Sequence, residues 1–592
     1  MAKPRPRSHR APATTVPASR GRLPAIAPLI IIVAGGAAYA NALTGPLIFD
    51  DFRSIVDNAT VRTMSWATLL HPQAQTPMAG RPVANLSLAL NYAMSGQMVE
   101  TYHLWNIAVH ILAALVLFGI LRQTPVWPTA DDRTREHVAL FSALAWLVHP
   151  LNTDAVDYIT QRTESMAGLF YLLTLYAAIR AWHDEGGRWT GVAVLSCWCG
   201  VATKELVVTA PLMVLLWDRS FACPSFNAAI RQRGRLYLGL ATSWLLFTAM
   251  SRDTPFFSAT GFETSVTPWT YLVNQAPLIA RYLRLSVWPV GLVLDYGLAR
   301  PVSVADVWPS ALVVLFLFAL AGLALKRHAT AGFWGAWFFV TLAPASSVLP
   351  IPSEVGAERR MYLPLVAVLV LLVSAWRWLV RSQPVARART LGAAFGVVVL
   401  VGLTVGTVRR NWEYRSGLAI WETVVARYPH ARAHENLAIQ LRDAGRVDEA
   451  IEHLRVAAPD LPDARHVLGS ALIDRGDLAG GIAELQAFVQ ANPHDREIVS
   501  ARDELASAQR TLIGGLLNEK RFSDAEVQAR AFVSSRPDRS DAHNLLGVAL
   551  ASSGRLDAAL QEFQAAVRLD PRASEPRNNL ARALEQTQQS RR

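Results

Sequence analysis

Two adjacent carboxylates, Asp50 and Asp51, follow the first long apolar run of the chain, residues 23–44. A single Asp would be enough to cap the helix that comes next, because Asp is favoured at the start of a helix. Two neighbouring carboxylates repel each other, which raises the pKa of one of them and suits that group to act as a general base. The pair therefore predicts catalytic chemistry where the chain leaves its first apolar segment.

Further polar residues lie in five short segments, 80–92, 101–110, 149–165, 202–211 and 357–364. Ionisable residues at the edge of a membrane are costly and usually mark functional sites. Arginine can hold a phosphate in bidentate fashion, and lysine acts on it as a point charge. We expect the segments to meet in one cavity at one membrane surface. The candidate substrate- and phosphate-binding residues are Arg81, His103, Asn106, His149, Asp154, Arg162, Glu164, Lys204, Glu205, Glu358, Arg359, Arg360 and Tyr362.

Each of these segments also has a purely structural interpretation. A histidine such as His103 on a helix can be a core residue, and Lys204 with Glu205 can form only a turn between two spans. Arg359 and Tyr362 can anchor the chain at the membrane interface. The sequence leaves these alternatives open for each segment taken alone.

Motifs for nucleotide or metal chemistry are missing from the sequence: it has neither a Walker loop nor a Gly-x-Gly-x-x-Gly after a strand. Cys197, Cys199 and Cys223 lie in or beside apolar runs, without the spacing of a metal site or a disulfide framework. We therefore expect no metal and no nucleotide cofactor. A transferase of this composition would take its donor from the membrane.

The composition divides the chain into an apolar and a polar part. Of 592 residues, 52% are hydrophobic and 17% are charged, against roughly 25% charged in soluble proteins. The deficit lies in 23–408, whereas 409–592 is rich in Arg, Asp, Glu and Gln. The net charge of +11 is concentrated in tails and loops between apolar runs, which orients a membrane protein and argues against nucleic-acid binding.

The apolar part predicts a polytopic bundle of about eleven spans, since a span needs about 20 apolar residues. Residues 1–22 form a disordered basic cytoplasmic tail in this interpretation. A cleaved signal peptide ending near Ala40-Asn41-Ala42 is the alternative for the first run. The predicted spans lie near 23–44, 103–121, 138–151, 165–182, 189–203, 206–217, 236–250, 308–325, 331–349, 361–380 and 390–408.

The run 268–290 is not counted as a span, because Arg281 and Arg284 lie inside it and an arginine at mid-bilayer costs roughly 2.5–3.5 kcal/mol. We expect it to lie along the membrane or re-enter it. With this choice the bare basic clusters all fall on one side of the membrane. The N-terminus is then cytoplasmic, and the acidic pair and the C-terminal part face the non-cytoplasmic side of an inner (cell) membrane.

The polar part predicts an α-solenoid. Residues 431–592 repeat the small and large packing positions of the 34-residue tetratricopeptide repeat, with Gly547 and Phe563 in the last full copy. Residues 409–430 should form a juxtamembrane helix, and an insertion, 496–505, should break the array. Such stacks usually bind an extended peptide; a spacer or oligomerisation arm is the alternative.

An ordered set of motifs resembles the transmembrane and tetratricopeptide repeat O-mannosyltransferases and their bacterial relatives, which have the GT-C glycosyltransferase fold. The resemblance covers residues 24–590, and no single motif is specific alone. The motifs are FDDF (49–52), GRPVANLSLALNY (80–92), YHLWNIAVH (102–110), HPLNTDAVDYITQRTES (149–165), ATKE (202–205) and AERRMYLP (357–364).

The resemblance implies an inverting transfer of mannose or another hexose from a polyprenyl-phosphate carrier to a hydroxyl of a protein acceptor. It implies that Asp50 or Asp51 is the base, with Asp50 preferred, and that the lipid-linked sugar is a co-substrate and no metal is needed. Two alternatives stay open: a non-enzymatic membrane-anchored scaffold for envelope proteins, and a GT-C enzyme that modifies a glycolipid or glycan. A transporter would need an internal repeat of the bundle, and the sequence shows no clear one.

Overall fold

The chain was analysed as a computed structural model that describes residues 26–63, 65, 67–68, 72–73, 76–127, 130–184, 187–251, 266–327, 330–347, 349–493 and 497–590. The predicted basic tail, 1–22, lies outside them. The regular elements of the described residues are helical, so the all-α class is confirmed. The chain forms two compact units that divide between Tyr428 and Pro429, within the segment expected to be a juxtamembrane helix.

The first unit holds the polar segments singled out above. The predicted spans appear in it as helices of unequal length. Its helices are α1 (Ala27–Tyr39), α2 (Ala59–Thr63), α3 (Pro82–Ser95), α4 (Val99–Gln123), α5 (Asp132–Leu147), α6 (Thr153–Asp157), α7 (Arg162–Arg180), α8 (Arg188–Val201), α9 (Ala210–Trp217), α10 (Phe226–Ser251), α11 (Pro268–Val287), α12 (Val304–Lys326), α13 (Thr330–Leu342), α14 (Pro364–Leu379), α15 (Val385–Glu413) and α16 (Gly417–Arg427).

Four helices of the described residues are long and apolar enough to cross a membrane: α4, α12, α15 and the segment Ile159–His183 that contains α7. Shorter apolar helices are Ala27–Ala42, α13 and α14. The chain is thus a membrane protein, and its expected total of about eleven spans stays a prediction.

The long helices differ in what surrounds them. On α12 the side chains of Leu315 and Phe316 are 62% and 67% exposed, and Val307 is buried. An apolar helix with bare sides needs a lipid environment, because water would not tolerate so large an apolar surface. By contrast α4 buries about half of its residues inside the bundle and α7 buries most of them, and these helices carry polar motifs.

One boundary differs from the expectation. The juxtamembrane segment 409–430 is not one helix: α15 runs on to Glu413, and α16 starts separately after Ser416. The Ser416 hydroxyl accepts the N–H of Ala419 at 3.0 Å, which is an N-cap that starts a new helix. The run 268–290, which was not counted as a span, contains α11, and α11 is not one of the four helices that are long and apolar enough to cross a membrane. Its Arg281 donates to the Gly291 carbonyl at 2.9 Å, and its position along the membrane stays a prediction.

The second unit is a row of helix pairs, as the repeat pattern predicted. Gly547 lies against Phe563, where an added Cβ would come within 2.5 Å of the ring, so this small–large pair requires glycine. Its helices are α17 (Ala431–Asp443), α18 (Val447–Ala457), α19 (Pro462–Asp474), α20 (Leu478–Ala491), α21 (Ile498–Asn518), α22 (Phe522–Ser535), α23 (Ser540–Ser552), α24 (Leu556–Leu569) and α25 (Ser574–Ser590).

The insertion 496–505 does not break the array. Most of it forms the first turns of α21, which is 21 residues long. Ala501 and Leu505 pack with Leu485 and Phe488 of α20. The added residues continue an apolar helical pattern, so they lengthen a helix and keep the neighbouring pairs in contact.

Candidate active site

Asp51 joins the loop after α1 to the loop before α7. Its side chain is fully buried. One carboxylate oxygen accepts the N–H and the hydroxyl of Thr160, at 2.7 and 2.6 Å, and the other accepts the N–H of Ile48 at 3.0 Å. Burial raises the pKa of Asp51 to about 7, and the hydrogen bonds act in the opposite direction. Asp51 is therefore held on both oxygens by the protein.

Asp50 has a different environment, although it is the next residue. It is half-buried, and its backbone N–H donates to the Tyr158 hydroxyl at 2.9 Å. Burial raises the pKa of Asp50, while the charge of Arg359 and a hydrogen bond from Tyr158 lower it in part. Asp50 thus combines solvent access with an elevated basicity and a neighbouring guanidinium.

Phe49, directly before the pair, has a left-handed backbone with φ of 45°. This conformation is unfavourable for a residue with a Cβ, and such residues cluster at functional sites. The Phe49 ring meets the buried ring of Trp421 on α16 edge to face, with 5.7 Å between centroids. This contact holds Phe49, and with it the direction in which Asp50 leaves the loop.

An arginine pair lies in the short helical turn Glu358–Met361. Arg359 donates its backbone N–H to Asp154 at 3.0 Å, and its guanidinium pairs with Asp154 and Glu354. Burial would raise the pKa of Glu354, but Arg359 and Arg360 outweigh it and lower this pKa to about 2. Glu354 is therefore ionised, and it is a site residue that the sequence analysis missed. The sequence feature that could have identified Glu354 is an acidic residue shortly before two adjacent arginines.

Arg360 donates its hydrogen bonds mainly to acceptors within the protein. It donates to the Tyr271 hydroxyl at 3.0 Å, to the Ala345 carbonyl at 2.7 Å and to the Val355 carbonyl at 3.2 Å. A second nitrogen bonds Glu354 at 3.1 Å. Arg360 therefore fixes the loop that carries Glu354 and Arg359.

Two further ion pairs come from the segments 80–92 and 202–211. Lys204 pairs with Glu164 at 2.7 Å, and Arg81 pairs with Glu205 at 3.3 Å. The charge of Lys204 also acts on Glu354, and that of Glu164 acts on Arg359. Burial would raise the pKa of Glu205, but Arg81 and Lys204 lower it overall. These segments thus meet beside the arginine pair.

Arg162 is buried and bonded within the protein, so its guanidinium is not open to a ligand. It is 1% exposed and donates to Asn106 at 2.7 Å, to Asn91 at 2.8 Å and to the carbonyls of Ser87 and Tyr102. These acceptors lie on α3 and α4, so Arg162 ties both helices to the start of α7.

Four other candidates from the sequence also form hydrogen bonds within the protein. His103 contacts the Gly45 carbonyl at 2.9 Å, and His149 contacts the Ser286 carbonyl at 3.2 Å. Asn106 donates to the carbonyl of Val156 at 3.1 Å. The Tyr362 hydroxyl meets a ring nitrogen of His110 at 2.8 Å. These side chains therefore connect segments of the bundle to one another, which is the structural interpretation that the sequence left open.

A second polar cluster lies behind Asp154, on the side away from its bond to Arg359. Glu358 accepts the Val293 N–H at 2.6 Å with one oxygen, and burial raises its pKa to about 7. Its other oxygen, both oxygens of Asp157, one oxygen of Asp154 and two nitrogens of Arg410 have no protein partner in the described part of the chain. Burial raises the pKa of Asp157 well above its usual value. These groups are suited to hold structural water.

The described residues contain no group of three or more His, Cys, Asp or Glu side chains arranged to hold a metal ion. The arrangement can support proton removal by Asp50 beside the charge of Arg359, with further fixed cations on the neighbouring segments. Arg81, Lys204 and Arg359 carry these charges, and each is partly exposed.

The polar unit matches a known repeat family. The sequence model described as "Tetratricopeptide repeat" matches residues 409–465 and 516–574. Among solved structures, one of MamA from Desulfovibrio magneticus covers 27% of this chain at 21% identity, with a TM-score of 0.19. The crystal structure of ArnT from Cupriavidus metallidurans bound to undecaprenyl phosphate covers 78% of this chain and 80% of that one, at 14% identity and a TM-score of 0.37.

Curated relatives match both parts of the chain. Protein O-mannosyl-transferase TMTC1 of Homo sapiens is 26% identical over 522 residues, which cover 78% of this chain and 58% of that protein. Protein O-mannosyl-transferase TMTC4 of Mus musculus is 24% identical over 493 residues, which cover 70% of this chain and 64% of that protein. The chain therefore spans about three fifths of the length of these relatives. As its motifs predicted, the chain is a sequence relative of the protein O-mannosyl-transferases and carries tetratricopeptide repeats.

Proposed function

We propose that this protein is a membrane glycosyltransferase that moves mannose or another hexose from a polyprenyl-phosphate carrier to a hydroxyl of a protein acceptor, with inversion. The observation that carries the proposal is the contrast within the acidic pair: Asp51 is clamped on both oxygens, and Asp50 is half-buried beside Arg359. The similarity to proteins named protein O-mannosyl-transferases supports the reaction class.

Asp50 is the general base in this proposal. It removes the proton of the acceptor hydroxyl while the oxygen attacks the anomeric carbon from the face opposite the phosphate. The bond between that carbon and the phosphate oxygen breaks, and the electron pair leaves with the phosphate. The raised pKa of Asp50 makes it a stronger base than an ordinary Asp.

Arg81, Lys204 and Arg359 bind the phosphate and stabilise the charge that grows on it as the sugar leaves. All three are already paired with carboxylates, and 10–23% of each side chain is exposed. A phosphate oxygen can therefore add to an existing ion pair without a large movement. Arg360 and Asp154 hold Arg359 in place, and Asp51 with Thr160 holds the loop of Asp50.

The proposed placement follows the charge distribution in the sequence. The N-terminus lies in the cytoplasm of a cell with this protein in its inner membrane, and the site and repeats face the other side. In this proposal the sugar donor is a lipid-linked co-substrate, and the reaction needs no metal and no separate cofactor. The bilayer contacts the bare apolar sides of helices such as α12, and the repeats bind the protein acceptor or a partner. Nucleic acid plays no part.

Glycoproteomics of envelope proteins tests the proposal in three strains: wild type, Asp50→Asn, and a strain without the gene. We expect the same Ser/Thr peptides to lose a hexose-sized mass in both defective strains. Full glycosylation in the Asp50→Asn strain, with the variant stably made, would refute the base. Unchanged proteins with a missing glycolipid sugar would favour the glycolipid alternative, and no change in either would favour the scaffold.

A further inference from the structure

The helix α16 carries the sequence pattern of the repeats, although it belongs to the first unit. Residues 421–429 read WETVVARYP, and the repeat helices α20 and α24 lead into LQAFVQANP (485–493) and FQAAVRLDP (563–571). In all three segments a buried large side chain lies eight residues before a proline, and the side chain three residues after it is also buried. The first match of the repeat family model, 409–465, includes α16 as well. α16 therefore corresponds to the second helix of a repeat, and the helix before it is the long apolar α15.

The large side chain of this pattern has a different partner in α16. In two complete helix pairs of the second unit it packs on a glycine of the preceding helix: Phe563 lies against Gly547, and the equivalent pair recurs in α20 and α19. The equivalent residue of α16 is Trp421, and its ring meets that of Phe49, edge to face. Phe49 directly precedes Asp50. One end of α16 thus uses the packing position of a repeat to contact the loop of the proposed base.

The other end of α16, with the residue that follows it, contacts the loop after α11. Arg427 donates to the Leu292 carbonyl at 2.7 Å, and two bonds to Glu413, at 2.9 and 2.6 Å, orient its guanidinium. The ring of Tyr428 packs on that of Tyr296, with 5.1 Å between centroids. These contacts fix the end of α16 on this loop.

The loop after α11 in turn holds the turn that carries Arg359. One oxygen of Glu358 accepts the Val293 N–H at 2.6 Å and the Tyr296 hydroxyl at 3.0 Å. Glu358 directly precedes Arg359, one of the cations of the proposed phosphate site. The path from Tyr428 to that site therefore passes through one loop and its bonds to a single carboxylate.

We propose that α16 holds the two halves of the candidate site, the base loop and the phosphate-binding turn, at a fixed separation. Its end at Trp421 directs the base loop. Its end at Arg427 and Tyr428 places Arg359, so these two are positioning residues. A single helix suits this role, because attack by the hydroxyl and departure of the phosphate require the base and the cation to be aligned across the same carbon. The inference rests on the proposed function, since it concerns the same site.

Binding of undecaprenyl phosphate to the full-length protein in lipid nanodiscs, measured beside transfer from undecaprenyl-phosphate mannose, tests the inference. Arg427→Ala and Tyr428→Ala should each weaken binding about tenfold, because residues that act through intervening contacts contribute effects of this size. Tyr428→Phe keeps the ring and should bind as wild type does. Trp421→Ala should slow transfer and leave binding unchanged. The matched control is Arg415→Ala, which removes an exposed arginine between α15 and α16 and should change neither.

An Arg359→Gln background separates positioning from a general loss of structure. Arg427→Ala should weaken binding no further in that background, since its effect passes through Arg359. An equal further loss in both backgrounds would refute the inference, and so would wild-type binding by Arg427→Ala and Tyr428→Ala, while the wild-type protein still transfers the sugar. A wild-type protein that neither binds the carrier nor transfers the sugar would refute the proposed function, and this inference with it.

Discussion

Replacing each member of the acidic pair by asparagine should separate a structural carboxylate from a catalytic one. In Asp51→Asn the amide oxygen can still accept both bonds from Thr160, at 2.7 and 2.6 Å in the wild type. The amide nitrogen would then face the N–H of Ile48, donor against donor. One hydrogen bond is lost and one buried N–H is left unpaired, which costs about 1–3 kcal/mol of unfolding free energy.

Asp50→Asn should behave in the opposite way. The side chain is half-buried and its change should alter stability by no more than about 0.5 kcal/mol. The rate of transfer should fall about 10²–10⁴-fold, the usual contribution of a general base. The donor should still bind, because Arg81, Lys204 and Arg359 are untouched.

The two variants should also differ in their dependence on pH. Asp50 acts only when ionised, so the wild-type rate should fall as pH drops through its raised pKa. Asp51 has a folded pKa of about 7, above the ordinary 3.8. Its contribution to stability is therefore full below 3.8 and is lost as pH rises through about 7, and Asp51→Asn should abolish this decline.

The assay combines thermal unfolding in nanodiscs with transfer from undecaprenyl-phosphate mannose to an acceptor peptide identified by the glycoproteomics. Each variant is measured in both experiments over pH 5–9, with Asp57→Asn as the control, since Asp57 is an exposed Asp in the same loop. Near-normal transfer by Asp50→Asn would refute its role as base. An Asp51→Asn protein as stable as wild type at pH 5, below the folded pKa of Asp51, would refute the proposed hydrogen bonding of Asp51 through both of its oxygens.

Three other predictions concern residues around the site. Arg360→Lys keeps the charge but cannot reach Glu354 and the backbone carbonyls together, so the melting temperature should fall by several degrees; an unchanged melting temperature would contradict this. Trp421→Ala should lower kcat about tenfold with little change in KM, because Phe49 loses the ring that it packs against. Trp421→Phe should retain the contact with Phe49 and the rate. Equal rates in the two variants would contradict this role of Trp421. Asp157→Asn should raise the melting temperature at pH 8 more than at pH 5, because burial raises the pKa of Asp157 and makes its ionised form costly; a lower melting temperature at both pH values would contradict this.

The repeats could be predicted from the sequence because their contacts are local. Gly547 and Phe563 lie one helix apart, so the same spacing recurs in every copy and is visible as a pattern. Turn residues follow the same logic: Gly445, Gly476 and Gly554 take left-handed backbone angles between paired helices. The insertion misled the sequence analysis because a pattern of fixed length cannot show that added residues extend a helix.

The roles within the site could not be predicted, because they depend on contacts between distant segments. Asp51 is clamped by Thr160, which is 109 residues away, and the sequence alone does not show which of two adjacent carboxylates meets it. Arg162 looked like a phosphate ligand because its acceptors, among them Asn91 and Asn106, lie on other helices. Residue type identifies the segments of a site, whereas the fold decides which polar atoms remain open.

Each cation of the site is paired with a carboxylate, and the cost of an unpaired charge at the membrane edge explains why. Holding an unpaired Arg or Lys in one position at the membrane edge costs free energy. A cation that moved into place only when the donor bound would reduce the binding free energy by the cost of that rearrangement. Lys204 with Glu164, Arg81 with Glu205, and the Arg359 contacts hold these groups before a phosphate arrives. Fixed charges stabilise a leaving phosphate without rearrangement. The carboxylates paired with these cations are therefore the groups that hold the phosphate-binding site in place before the donor arrives.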